Sequence, residues 1–160
     1  MGASLRLLLQ LWLRWQHPVA SAELRLDETL SHFLFHRRTD FSVTNGRVRL
    51  KAAALIPFKY VELSTYRIEG LPDSLVWLTG RIFVGTWRSN ELFGKQPLAR
   101  ANLTPQLVNN ESLRATVKEP PVRHVDIVGW PAEKHLQILT AQNLIKNGAT
   151  VELSPAGLED

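Results

Sequence analysis

His124 and Asp126 stand two apart in an apolar, β-branched run over 122–128. On a strand that spacing puts both side chains on one face and Arg123 and Val125 on the other. The run leads through Gly129-Trp130-Pro131 into a helix expected over 131–147. The free amino-terminal N–H groups of such a helix favour an anion, and ligands of α/β units commonly bind at the carboxyl end of a strand. A His–Asp pair there can do acid–base work, with the carboxylate holding the imidazole's tautomer. The plainer alternative is a half-exposed pair on an edge strand.

Arg67 is the second residue of interest. A strand expected over 60–68 places it on the face of Val61, Leu63 and Thr65, opposite Tyr60, Ser64 and Tyr66. An arginine on an apolar face is either paired or at a pocket rim. Glu62 falls on the other face, so the two do not form one site. Arg67 and Arg123 are therefore candidates to hold an anion near His124. His32 and His36, four apart on an expected helix, have the spacing of a shared metal site, with Asp40 the only local third ligand. No Glu follows His32, and a surface placement explains the pair equally well; no metal is assigned.

A third constellation is electrostatic. The 160 residues carry 19 Lys and Arg against 15 Asp and Glu, a net +4. Arg37, Arg38, Arg47, Arg49, Lys51 and Lys59 face only Asp40 within their window, a local +5 that exceeds the charge of the whole chain. Phe33, Phe35, Phe41, Phe58 and Tyr60 flank or interleave them. Basic groups neutralise phosphates and exposed aromatics stack on bases, so nucleic acid or another polyanion is the implied partner. The competing reading is a solvated loop whose aromatics belong to the core.

The exclusions are firmer. The chain has no cysteine, which removes disulfides, thiolate–zinc sites and cysteine nucleophiles. P-loop, G-x-G-x-x-G and G-x-S-x-G motifs are absent, and no cofactor is implied. No apolar stretch reaches the roughly 18 residues of a spanning helix.

Elements must place these residues. Asp27-Glu28 looks like a helix start, predicting a helix through about Phe35 with Leu26, Leu30, Phe33 and Leu34 buried. Asn45-Gly46 predicts a hairpin between 41–43 and 47–50. Pro72-Asp73 opens a helix to Thr79 that Gly80 would stop. Residues 81–87 read as a strand and 89–96 as a polar loop. Strands are expected over 98–103, 113–118 and 150–153, with a short helix at Thr104-Pro105. Strand, helix and strand over 122–153 predict a right-handed crossover at one sheet edge.

Residues 1–22 form a separate leader. Arg6, a short apolar run and Ala20-Ser21-Ala22 have a signal-peptide layout, although Gln10, Arg14 and His17 interrupt it. An amphipathic helix is the second reading, with Leu5, Leu8, Leu9, Trp12 and Trp15 on one stripe. It would pack on the domain, a protein partner or a membrane surface. A start site further downstream is the third. A cytoplasmic location is the expectation, export the alternative.

Phe33-Leu34-Phe35 with Phe41-Ser42, then 62–67 (Glu-Leu-Ser-Thr-Tyr-Arg), then 120–131 with Lys134 resemble a group of small uncharacterised bacterial proteins. The R-H-x-D-I-V-G-W-P segment, from Arg123 to Pro131, carries most of the likeness, which spans about residues 23–153. It implies a bacterial or phage setting and a domain beginning near Glu23, and no activity, cofactor or catalytic residue.

The sequence thus predicts a single α+β domain over 23–160, with a central mixed sheet of five or six strands, short helices and one principal helix near 131–147. Functionally it predicts a small polyanion-binding module using Arg37, Arg38, Arg47, Arg49, Lys51 and Arg67. Alternatives are an enzyme acting on a phosphorylated or nucleotide-like substrate through His124 and Asp126, and an interaction protein docked through the leader.

Overall fold

A computed structural model describes residues 2–57, 62–89 and 93–158. In chain order it contains α1 (Gly2–Gln16), β1 (Leu30–Leu34), β2 (Phe41–Thr44), β3 (Arg47–Leu50), β4 (Leu63–Arg67), α2 (Asp73–Thr79), β5 (Ala99–Leu103), α3 (Pro105–Asn110), β6 (Arg114–Val117), β7 (His124–Val128), α4 (Lys134–Asn147) and β8 (Thr150–Leu153). Six strands form the main sheet in the order β6-β7-β4-β1-β5-β8, and β2-β3 form a separate hairpin. The fold is α+β in a single domain.

All neighbouring strands pair antiparallel. The crossover expected at one sheet edge is therefore corrected. β7 and β8 do run in the same direction, but β4, β1 and β5 lie between them. The connection traverses most of the sheet, and α4 buries Ala141 and Leu144 on the face it crosses.

That face is shared with the hairpin, residues 52–54 and α3. Leu34, Leu63, Ala99, Ala101, Leu103 and Ile127 project into it. The opposite face carries Phe33, Phe35 and Tyr66, covered by Leu9 and Leu13 of α1 and by Val76, Trp77, Ile82 and Phe83. A sheet buried on both sides loses the simple in–out alternation of a half-exposed one. Hence the first correction: 30–34 is a strand, not a helix. Its Leu30, Ser31, Phe33 and Leu34 are all buried, a density that mimics a helical stripe. Glu28, read as a helix-start residue, instead pairs with Arg67.

The second correction concerns 81–87, which is helical. α2 continues as a wide π turn over Gly80–Val84 and a 3₁₀ turn over Gly85–Trp87. Gly80 does not stop α2. A Cβ there would lie 2.4 Å from the Phe33 ring, so glycine serves close approach of helix to sheet. Thr79 and Thr86 hydroxyls donate back to the Leu75 and Ile82 carbonyls (2.8 and 2.7 Å), as hydroxyls on helices do.

Other expectations hold. Asn45 and Gly46 both take positive φ (52° and 72°), the two-residue turn that matches the twist of a hairpin. Thr104 accepts a hydrogen bond from the Leu107 amide and starts α3. α4 begins at Lys134 rather than 131 and ends at Gly148. The single stripe expected on α1 is corrected: Leu5, Leu9 and Leu13 pack inward, while Leu8, Trp12 and Trp15 face out. No helix among the described residues is long and apolar enough to cross a membrane.

One buried ion pair anchors the centre. Arg67 Nε and Nη2 donate to Glu28 Oε1 and Oε2 at 2.6 and 3.0 Å, both side chains almost fully buried. Arg67→Met strands the Glu28 carboxylate and is expected to cost about 3–5 kcal/mol, whereas Arg67→Met combined with Glu28→Leu should recover most of it. Urea denaturation of the three proteins measures both; a double variant no better than the single one refutes the account.

Candidate functional site

Antiparallel pairing brings Ser64 opposite Asp126 and Tyr66 opposite His124, with Thr116 on the far side of Asp126. By strand parity these side chains share the face that also carries Phe33. The α1–α2 layer covers Phe33 and Phe35 but leaves this corner open. The result is a cleft of about 480 Å³ with Ser64, Tyr66 and His124 on its floor and Phe83, Val84, Trp87, Arg88 and Pro121 as walls.

The geometry centres on the His124 ring. Its Nδ1 lies 2.9 Å from the Lys118 carbonyl, and its Nε2 lies 2.6 Å from Ser64 Oγ. A carbonyl oxygen only accepts, so Nδ1 carries the proton of the neutral ring. Nε2 is then a free base, and the Ser64 hydroxyl donates to it. Asp126 Oδ1 stands 3.2 Å from the same Nε2. No proton joins that pair while the imidazole is neutral. Once Nε2 takes a proton, Asp126 faces an imidazolium and stabilises it.

The surroundings keep Asp126 ionised. Burial pushes its carboxyl up, but hydrogen bonds and charge from Lys118, and from His124 when Nε2 carries a proton, outweigh this and leave it below the ordinary carboxylate range. Lys118 Nζ lies 3.0 Å from Asp126 Oδ2 and 2.9 Å from Glu62 Oε2. The hydrogen bonds and charges of these two carboxylates raise the ammonium pKa, so it stays charged. Tyr66 is buried, which pushes its phenol well above the ordinary value and keeps the hydroxyl protonated. Its ring packs 5.2 Å from that of His124.

The same-face placement of His124 and Asp126 agrees with the sequence reading, and the Lys118 carbonyl, rather than Asp126, orients the ring. Ser64 and Tyr66 were not among the candidates read from the sequence, although parity had put them on one face. Only pairing of β4 with β7 shows that this face meets His124.

Arg67 and Arg123 do not reach the cleft. They lie by a cavity of about 170 Å³ lined also by Arg25, Glu28 and Glu69. Arg123 Nη1 donates to the Arg67 and Glu69 carbonyls, both at 3.0 Å, and Nη2 to the His17 carbonyl at 2.8 Å. Nor do His32 and His36 share a ligand position, because they lie on and just beyond a strand. His32 Nδ1 donates to the Ser64 carbonyl (2.7 Å), and His36 is exposed, its amide bound to Asp40. Among the described residues, no group of three or more acidic or histidine side chains is placed to hold a metal.

The basic window is split. Arg47 and Arg49 are exposed on one face of β3, and Arg38 and Lys51 are exposed nearby, with Lys51 Nζ on the Arg38 carbonyl. Arg37 is half-buried. Phe33, Phe35 and Phe41 belong to the core; Phe58, Lys59 and Tyr60 lie outside the described residues.

Comparison with models of known families, with curated protein sequences and with solved structures finds no match for this chain.

The His32 contact predicts a pH effect. Burial lowers the pKa of His32, a shift that its bond to Ser64 only partly opposes. The fold thus favours neutral His32, and this contribution is complete above the unfolded value near 6.5 and lost as pH falls below it. His32→Asn keeps a donor for the Ser64 carbonyl but cannot titrate. Its unfolding free energy should drop less between pH 7 and 5 than that of the native protein; equal drops in urea titrations at both pH values would refute the assignment.

Proposed function

We propose that the protein is an enzyme in which Ser64 is the nucleophile of a group-transfer or hydrolytic reaction. The observation that carries this reading is the 2.6 Å contact between Ser64 Oγ and His124 Nε2. A serine hydroxyl is a weak nucleophile unless a neighbouring base takes its proton as it attacks. His124 is that base, held in the required tautomer by the Lys118 carbonyl. Asp126 stabilises the imidazolium formed, and Lys118 in turn holds Asp126.

The cleft supports a substrate with an anionic group and a flat apolar part. Arg88 is exposed at its wall, and Trp87 is 78% exposed beside it. A phosphorylated or nucleotide-like ester fits that chemistry: the guanidinium would pair with the phosphoryl oxygens and the indole would pack against the ring.

A fluorophosphonate reagent should label Ser64, read by mass spectrometry of the intact and digested protein. Ser64→Ala should abolish labelling, and His124→Ala should slow it by about 10²-fold or more. Labelling elsewhere, or labelling unchanged in His124→Ala, rejects the assignment.

A second reading has its own observation. Arg47 and Arg49 stand side by side and exposed on β3, which supports a polyanion-binding face on the hairpin. Binding to labelled single- and double-stranded nucleic acid should then weaken steeply with salt. Replacing both arginines with Gln should reduce the log–log salt slope by about 2; an unchanged slope removes this face from consideration.

A further inference from the structure

The wall of the Ser64 cleft that carries Trp87 is held from α1. Leu9 and Leu13 fix that helix in the core on the α2 side of the sheet. Arg6 stands about one turn before Leu9 on the same side of the helix, and its side chain is half-buried against the domain. Arg6 Nε donates to Thr86 Oγ1 at 2.8 Å, and Nη2 donates to the same oxygen. The Thr86 hydroxyl in turn donates to the Ile82 carbonyl. The guanidinium is thus tied to the helical turns that end at Trp87. From that anchor its central carbon lies 4.2 Å from the centroid of the Trp87 ring.

Trp87 needs such a support. At 78% exposure, little packing limits rotation of its side chain, and an indole that wanders must be ordered again by each ligand it meets. A guanidinium stacks flat on an aromatic face and orders it beforehand. Arg6 covers one side of the indole, and the high exposure leaves the other open to a ring in the cleft that Trp87 lines. The charge of Arg6 is felt on the cleft floor as well. Burial raises the pKa of Tyr66, and Arg6 is among the groups that oppose the rise.

We propose that Arg6 is a positioning residue that holds Trp87 as a stacking platform, so that the preferred substrates are esters carrying an aromatic or nucleobase ring. The assignment rests on the reading of Ser64 as the nucleophile. The substrate's ring seats on the open side of the indole while its reacting group lies at Ser64 Oγ. Trp87 sets the preference by contact, and Arg6 acts only through Trp87. An aliphatic ester lacks the stacking contact and reacts without its help.

The test compares two reagents on the full chain: diisopropyl fluorophosphate and a fluorophosphonate bearing a naphthyl group. In each, Ser64 Oγ displaces fluoride from phosphorus as His124 takes the hydroxyl proton. The second-order rate constant of labelling is followed by intact-protein mass spectrometry. The naphthyl reagent should label the native protein about tenfold faster or more, the scale of one aromatic stacking contact. Trp87→Leu, at an exposed position, and Arg6→Met should each remove that preference while leaving the diisopropyl rate within about twofold of native. If neither reagent labels native Ser64, the nucleophile reading falls and this inference with it. If both label it at equal rates, the inference falls and the nucleophile reading stands. A preference that survives in Arg6→Met refutes the positioning role. So does an equal slowing of both reagents in that variant, which is what a merely structural residue would give.

Discussion

Much of this molecule hangs on the placement of one arginine. Arg123 is 2% exposed and takes a positive φ of 68° at the entry to β7. Its guanidinium binds main-chain carbonyls from the end of β4 and from the end of α1, while its own carbonyl accepts from the Arg67 amide. Burial lowers its pKa, and the charge of Arg67 adds to that. Glu28, paired with Arg67, and Glu119 offset part of this repulsion. A planar group with five donors can join two chain ends in this way; a point-like ammonium cannot. Three segments distant in sequence thereby meet at one point, and the direction in which α1 leaves the sheet is settled there.

The site follows from that arrangement. With α1 and α2 fixed over Phe33 and Phe35, the neighbouring corner of the same face stays open. Its polar residues come from β4 and β7, held in register by the ladder that sets Ser64 opposite Asp126 and Tyr66 opposite His124. Rigid strands position the hydroxyl and the imidazole, and a backbone carbonyl selects the tautomer. Because the orienting group is main chain, the free nitrogen of His124 does not depend on the ionisation of a carboxylate. Asp126 stands 3.2 Å from that same nitrogen, Nε2.

Some features were readable before the fold. The hairpin at Asn45-Gly46, the cap of α3 at Thr104, the Gly148 stop and the shared face of His124 and Asp126 all rest on short-range rules, and a few residues contain all the relevant physics. The strand at 30–34 and the helical turns at 81–87 do not. In the first, burial on both faces removes the period of two. In the second, the glycine at 80 is needed for approach to Phe33, a contact 47 positions away that local reading mistakes for an end signal.

By itself the sequence determined the class of the domain, the absence of any cysteine chemistry, the charge excess around the hairpin and the local turns, since composition and nearest neighbours suffice for these. Only the tertiary structure decided that Ser64 is a partner of His124, that Arg67 and Arg123 lie away from the His124 cleft, bound to Glu28 and to main-chain carbonyls, and which side of α1 faces out. Each of those outcomes depends on which strands pair and which helix lies over them. Those are long-range choices, made by the summed burial of the whole chain and encoded in no single stretch of it.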